Sequence, residues 1–564
     1  MKTKNTYLQS LLGAIAICAV AAANPQLLAA GLPLKGATYL GGSSDQYSTA
    51  AAVANGNLYV SGITMANGED GILACWGLPL ADNAAPLWNT AWPGDPGWDR
   101  FYGIAANPEG LFGIGAAYSR TTDGVGDKEH KGIVVKFPFS GPPGGGYKGA
   151  TWDAQVPPNC FNSYRGWEWL QAGTSVNEGG TNFLYATGGM QPDGSCSRFC
   201  LAKVGPDGTT LWTRDDLTDY VYRHYSGGQA IAALNEFIYT AGFTDYNGAT
   251  GTGMTAALRK YASDGSLQWK KTSAAGRIYN GIATLGNIIY TVGTTKGGES
   301  NGDFLIEKWS DAGTVIWSRS FDRNDGTDIL NAAVMLDGRL YAVGSTTEGT
   351  AGGTDAVLLQ IDADTGDLLS TTLYGGSNDD DATGITTDGT DLYVVGSTQS
   401  FGPGKQMLVL RYGLAPTIIT QPVSQTVGVG SSPSFFVAAA GSVPMTYQWR
   451  LDGSDIPGAT SAALTLTNAG FGLAGSYSAV VSNAYGSAVS SNAVLSFLNL
   501  KMYAGLTVAG PIGASYRLEY LPELGSTNAW QLLGNLTLPS SPYLFIDQDS
   551  PNYPHRFYRA VLVP

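Results

Sequence analysis

Gly286-Asn287-Ile288-Ile289-Tyr290-Thr291-Val292-Gly293 decides the fold, because it returns six more times along the chain. A Gly-Asn turn followed by a β-branched and aromatic run is a turn feeding a short strand. The same element stands at Gly56-Asn57-Leu58-Tyr59-Val60-Ser61-Gly62 and around Phe112, Tyr185, Tyr239, Tyr341 and Tyr393. From Tyr59 to Phe112 is 53 residues, and from Phe112 to Tyr185 is 73. The later steps are 54, 51, 51 and 52, so six steps link seven units, one of which carries an insertion of about 20 residues.

Around that centre each unit carries four short strands. In the fifth these are Asn280 to Thr284, Ile288 to Val292, Phe304 to Trp309 and, after the turn Ser310 to Gly313, Val315 to Arg319. The third strand ends on a basic residue followed by an apolar one at Lys136-Phe137, Lys203-Val204, Lys260-Tyr261 and Arg411-Tyr412. The Trp of the fourth strand recurs at Trp88, Trp152, Trp212 and Trp269. Four antiparallel strands in about 50 residues is the period of a β-propeller blade. The seventh unit stops at Tyr412 without a fourth strand. The segment Leu34 to Asp45 looks like the missing one, by likeness to Leu369 to Asp379 in unit six. Pairing the two ends would close a seven-bladed ring over residues 31–413 and remove two free sheet edges. Tyr59, Tyr239, Tyr290, Tyr341 and Tyr393 are then expected to be structural core positions inside blades.

The pattern Tyr-x-x-Gly-Ile-Ala, then Gly-Asn-x-x-Tyr-x-x-Gly-x-Thr, then Gly-Asp-x-x-Ile-x-Lys resembles the bacterial secreted β-propeller repeat family over about residues 36–412. The resemblance implies the propeller and a bacterial, exported protein. It implies no activity, because that family has no common catalytic set. Unit two departs most, with Phe112 in place of Tyr and a Pro-Gly-rich tail.

At Leu414-Ala415-Pro416 the repeat ends. Residues 414–498 then present Phe435-Phe436-Val437, Tyr447-Gln448-Trp449-Arg450, Leu464-Thr465-Leu466 and a strand opening on Tyr477. A Trp about a dozen residues after one strand, and a Tyr near the start of a later one, fit an immunoglobulin-like sandwich. The segment is similar to intermediate-set immunoglobulin-like modules, with Trp449 as the core Trp and Tyr477 at the tyrosine corner. Val437 and Ala479 stand where the disulfide cysteines would be, so this core is expected to hold by packing alone. Residues 499–564 read as a small C-terminal β module whose last strand is Arg556 to Val561.

Composition agrees with an all-β chain. Of 564 residues, 77 are Gly and 30 Tyr, and only 13% are charged. The net charge of −14 disfavours nucleic acid and anionic membranes as partners. Lys2 and Lys4 ahead of an apolar run from Leu11 to Ala23 read as a signal peptide over 1–23, cut after Ala23 or alternatively after Ala30. Ile17 stands where lipidation of Cys18 would need a small residue. No later stretch is long and apolar enough to span a membrane. The expected location is extracellular or in the cell envelope.

Catalytic signatures are missing. The three histidines, His130, His224 and His555, meet no Gly-x-Ser-x-Gly elbow and no zinc-ligand spacing, with His130 and His224 expected in loops. Carboxylates are the plentiful polar chemistry. The face holding the loops after second and fourth strands collects Asp325, Asp328, Asp379, Asp380 and Asp381, candidates for Ca²⁺ through hard oxygen ligands. Asp and Asn are also good turn formers, which accounts for such a cluster without a ligand. The same face carries the aromatics Tyr118, Tyr164 and Tyr246, on which a glycan could stack. It also holds an insertion from about Asp153 to Arg165, which a Cys160–Cys196 bridge would pin, with Cys160–Cys200 as rival pairing. The expected function is adhesion, scaffolding or capture of a polysaccharide or protein. The alternative is a carbohydrate-active hydrolase or lyase using carboxylates across the funnel.

Overall fold

The computed structural model describes residues 32–564, apart from 42–43, 66–68, 82, 93–98, 121–127, 141–151, 156–166, 192–197, 216–223, 248–253, 296–301, 323–325, 348–351, 499–501 and 524–528. Among these residues the regular structure is all β, with two short 3₁₀ turns at Phe471–Leu473 and Ser550–Asn552. Among the described residues no helix is long and apolar enough to cross a membrane. The chain divides into two compact units. The first is Met1–Ile419 with Ala439–Thr446 and Val481–Ala488, and the second is Thr420–Ala438, Tyr447–Val480 and Val489–Pro564.

In the first unit the strands form antiparallel groups in simple sequential order. The fifth repeat is Ile278–Leu285, Ile288–Thr294, Phe304–Ser310 and Val315–Phe321, each strand slightly longer than the sequence pattern indicates. The sixth is Asp328–Leu336, Arg339–Thr346, Asp355–Asp362 and Leu368–Tyr374. The seventh has three strands of its own, Asp380–Thr387, Leu392–Thr398 and Gln406–Tyr412, and takes its fourth from the front of the chain. That strand, Leu34–Leu40, pairs antiparallel with Gln406–Tyr412, in register from Leu34↔Tyr412 to Leu40↔Met407. Repeats two and three share one sheet through a single parallel bridge between Trp167 and His130. Trp152–Gln155 serves as the fourth strand of repeat two. Its pairing shows that the insertion begins after Gln155, a little later than the sequence reading puts it.

The core lies between consecutive repeats. Tyr290, Val292 and Ile306 of the fifth pack with Leu340, Leu359 and Ile361 of the sixth. Tyr393, Val395 and Met407 of the seventh pack in the same way with Leu58, Val60 and Trp76 of the first. Middle strands are therefore covered on both faces, and Arg198–Val204 is buried along its whole length. Fourth strands lie outside, so Val315–Phe321 alternates between exposed and covered positions.

The repeated tyrosines Tyr59, Tyr239, Tyr290, Tyr341 and Tyr393 are all at most 2% exposed. In three repeats the hydroxyl of this Tyr reaches into the next repeat. Tyr290 Oη donates to the Ala363 carbonyl at 3.0 Å, and Lys308 Nζ, opposite it on the third strand, donates to the same carbonyl at 2.8 Å. Tyr185 and Lys203 converge likewise on the Ser263 carbonyl, at 3.1 and 3.3 Å. Tyr239 and Lys260 converge on Asp311. In each case the acceptor lies in the turn between third and fourth strands of the next repeat. Arg411 makes the corresponding reach from the seventh repeat to the Leu80 carbonyl of the first, at 2.9 Å. In the third, fourth and fifth repeats the Tyr and the basic residue thus join one repeat to the next.

A buried ion cluster sits beside this junction. Asp391, whose side chain is 1% exposed, accepts from Lys35 Nζ at 2.7 Å and from Arg411 Nε at 2.6 Å. Ser442 Oγ also donates to it and accepts from the Leu414 N–H at 2.8 Å. Lys35 lies over the Tyr485 ring, 4.4 Å from its centroid.

In the second unit Trp449 is fully buried and its Nε1 donates to the Ser461 carbonyl at 2.9 Å. Phe435 stacks on Tyr477 at 4.7 Å and lies 6.1 Å from Trp449. Tyr477 Oη donates to the Leu473 carbonyl at 2.8 Å, the bond of a tyrosine corner. Val437 and Ala479 are fully buried. The C-terminal strands are Ala504–Val508 with Tyr543–Asp547, and Ser515–Leu521 between Gln531–Thr537 and Phe557–Val563.

In those C-terminal strands the Arg556 guanidinium lies 4.0 Å and 3.7 Å from the ring centroids of Tyr520 and Tyr553. It pairs with Asp547 at 2.6 Å, which also accepts from Tyr558 Oη at 2.9 Å. Burial pushes the Asp547 carboxyl up, but the Arg556 and Tyr558 hydrogen bonds outweigh it and hold the pKa below the ordinary value. A depressed carboxylate pKa stabilises the fold above its unfolded value of about 3.9, and that contribution is lost as pH falls through the folded value. The C-terminal strands are therefore expected to lose stability below about pH 4, and Asp547→Asn to flatten that acid limb. Melting curves across that acid range measure both.

Candidate functional site

A cavity of about 370 Å³ opens where the first strands of the repeats approach one another. Each repeat supplies three successive residues to its wall. The first of each three is polar and uncharged: Thr49, Tyr102, Gln171, Gln229, Asn280, Asn331 and Thr383. The second is Ala or Gly and the third Ala, Gly or Ile. The small middle residues have a steric cause. A Cβ on Gly281 would lie 2.9 Å from Ala332 Cα, and one on Gly384 would lie 3.1 Å from Ala50 Cα.

The polar residues lace adjacent repeats. Asn280 Nδ2 donates to the Leu330 carbonyl at 3.0 Å, and Asn331 Nδ2 to the Ala382 carbonyl at 2.9 Å. Thr383 Oγ1 donates to the Ser48 carbonyl at 2.9 Å, and Thr49 Oγ1 to the Phe101 carbonyl at 2.9 Å. Gln171 and Gln229 line the same wall without such a bond among the described residues, so their carboxamides can pair with a ligand or with water. The sequence carries a signal for this ring that the reading above does not use: the residue ahead of the small one in the first strand is polar in every repeat.

No Asp, Glu, His or Cys is among the residues lining the cavity. The paired carboxylates that glycoside hydrolysis needs are therefore not found on this wall. Elsewhere, no three His, Cys, Asp or Glu groups converge among the described residues.

The candidate acids occupy unlike environments. Asp379 is exposed, with Oδ1 accepting from the Thr354 N–H at 2.9 Å. Asp381 is half-buried, bonded to Ser397 and Lys405. Asp380 and Asp328 are fully buried. Asp325 lies outside the described residues. These acids therefore do not form one exposed cluster. Successive side chains of a strand point to opposite faces, and Asp380 and Asp381 both belong to Asp380–Thr387.

Two of the aromatics expected in loops lie in strands, Tyr118 in Gly110–Arg120 and Tyr246 in Phe237–Asn247. Pairing continues to Tyr118↔His130 and Tyr225↔Tyr246. The same lengthening places His130 and His224 in strands and corrects the loop assignment for both. Tyr164, Cys160 and Cys196 lie outside the described residues. Cys200 is buried in Arg198–Val204. Cys75 is also buried, and burial pushes its thiol up to about 11, which leaves it protonated and unreactive near neutral pH.

Together these features define a multi-domain β protein with propeller-like and immunoglobulin-like parts. No protein-family model matches the chain, and no curated protein matches it. Among solved structures it is similar to the β-propeller domain of the trilobed protease from Pyrococcus furiosus, at 10% identity over 65% of this chain and 93% of that one, with a TM-score of 0.37. It is similar to Pyrococcus horikoshii acylaminoacyl peptidase at 9% identity, over 70% of this chain and 57% of that one, with the same TM-score of 0.37. Tandem Ig repeats of Dlar match 28% of this chain and 88% of theirs, at 12% identity and a TM-score of 0.15. At this level of similarity the fold assignment rests on the strand pairing described above.

Proposed function

We propose that the first unit is a closed seven-bladed propeller of the secreted bacterial repeat type, and that the protein is exported and captures a neutral, hydroxyl-rich ligand such as a polysaccharide for adhesion. Closure is supported by the Leu34–Leu40 strand, by the bond from Thr383 to the Ser48 carbonyl and by the shared core of Tyr393 and Leu58. The observation that carries the ligand class is the uncharged ring of amides and hydroxyls around the cavity. Carboxamides both donate and accept, which suits sugar hydroxyls, and a wall without charge gives an ion no partner. The second reading is adhesion to a protein partner.

The test is a glycan array run beside a hydrolysis screen on the full chain. Binding without turnover supports capture. Turnover supports the carbohydrate-active alternative, and silence in both assays favours a protein ligand. The double variant Gln171→Ala, Gln229→Ala is expected to weaken glycan binding about 5- to 100-fold, from two hydrogen bonds of about 0.5–1.5 kcal/mol each. Its melting temperature should stay unchanged, because neither side chain bonds to the fold among the described residues.

A further inference from the structure

Asp380 has no exposed surface. Its Oδ2 accepts from the Gly376 N–H at 2.9 Å and from Ser400 Oγ at 2.6 Å. Its Oδ1 is equally buried and has no hydrogen-bond partner. A second carboxylate, that of Asp355, stands on the Oδ2 side of Asp380. A Cβ on Gly375 would overlap Asp355 Oδ1 and lie 2.9 Å from Asp380 Oδ2, so both groups crowd the space that this glycine leaves open. Asp355 is only 7% exposed. The nearest basic residue in sequence, Lys405, pairs instead with Asp381.

A buried carboxylate oxygen with nothing to bind is costly, and a second carboxylate beside it adds repulsion. The missing partner is positive. Its position belongs to the repeat and not to one irregular loop. The Asp380 N–H donates at 2.7 Å to the carbonyl of Thr354, the residue before Asp355. Asp328 donates likewise to Gly302, before Asp303, and Asp99 to Glu69, before Asp70. At another such junction, Gln46 donates to Lys405, before Gln406. Two glutamines stand there in place of two aspartates, and a pair of neutral amides needs no counter-charge.

We propose that the Asp355–Asp380 junction is a divalent-cation site, with the Asp380 and Asp355 carboxylates as its anionic ligands and neutral oxygens or water as the rest. The donor set is all oxygen, without the thiolate or imidazole that zinc and copper favour, which selects Ca²⁺. The site bridges the sixth and seventh repeats, so the ion acts as a structural clamp between them.

The probe is Ca²⁺ alone, added to the full chain after chelator treatment. Saturating Ca²⁺ is expected to raise the melting temperature by about 5 °C. Asp380→Asn should remove that shift and one equivalent of bound Ca²⁺ in a competition titration, while Asp364→Asn, at an exposed turn, should retain both. Tb³⁺ luminescence excited through tyrosine gives a readout on the unaltered chain, because Tyr374 pairs in the sheet with Ala356, the residue after Asp355. If Asp380→Asn does not fold, loss of the Tb³⁺ signal in Asp355→Asn decides. Wild-type protein that binds neither Ca²⁺ nor Tb³⁺ overturns the proposal. So does an Asp380→Asn chain that keeps the full Ca²⁺ shift and the bound equivalent.

Discussion

Replacing Asp391 with alanine is expected to destabilise the first unit by about 3–5 kcal/mol, the cost typical of removing one partner from a buried ion cluster. The carboxylate is 1% exposed and serves two cations, Lys35 at 2.7 Å and Arg411 at 2.5 Å. Lys35 is itself only 6% exposed, so without Asp391 its ammonium is left dry and uncompensated. Arg411 retains the Leu80 carbonyl, which offsets part of its loss. Asp391→Asn keeps the volume and removes the charge. It should cost nearly as much as alanine if charge is what matters, and far less if shape is. Urea denaturation of both variants at neutral pH separates the two. Pairing Asp391→Asn with Lys35→Met should recover part of the loss, because the orphaned ammonium goes with it.

The second large effect belongs to the other unit. Trp449→Ala is expected to cost about 3–5 kcal/mol, the range for deleting a large buried aromatic. The indole is fully buried, lies beside Phe435 and donates to the Ser461 carbonyl, so the variant opens a cavity and strands an acceptor. With Val437 and Ala479 at the positions where a disulfide would stand, no covalent link remains to limit the damage. Loss of the sheet signal in circular dichroism at a lower urea concentration measures it. A reducing agent should leave the wild-type midpoint of this unit unchanged.

The sequence announces the strands because a repeat of about 50 residues with fixed turn chemistry constrains local structure strongly. The pairing of Leu34–Leu40 with Gln406–Tyr412 was readable for the same reason, since a missing copy at one end has a matching surplus at the other. What joins one repeat to its neighbour was far less readable. Tyr290 looks like a packing residue until its hydroxyl is seen to meet Ala363, 73 positions away. At Tyr118, His130, His224 and Tyr246 the strands run past the sequence pattern, because pairing with a neighbour carries a strand past the point where its own alternation fades. Asp380 and Asp381 are adjacent in sequence yet differ in surroundings, one sealed in and one reaching Lys405. A run of acids hides such a difference until the strand register assigns each to a face.

The front strand also has a mechanical meaning. Because Leu34 pairs with Tyr412, the chain enters and leaves this strand pair at one end. Tension between the segment before Leu34 and the segment after Tyr412 would load its hydrogen bonds one after another, as a zipper is opened, instead of all together in shear. Peeling geometry yields at low force unless something holds the first tooth. Lys35 and Arg411 stand at that end, both fastened to Asp391. The same carboxylate whose loss costs thermodynamic stability is thus placed as the bolt that a pulling force must break before the zipper can run.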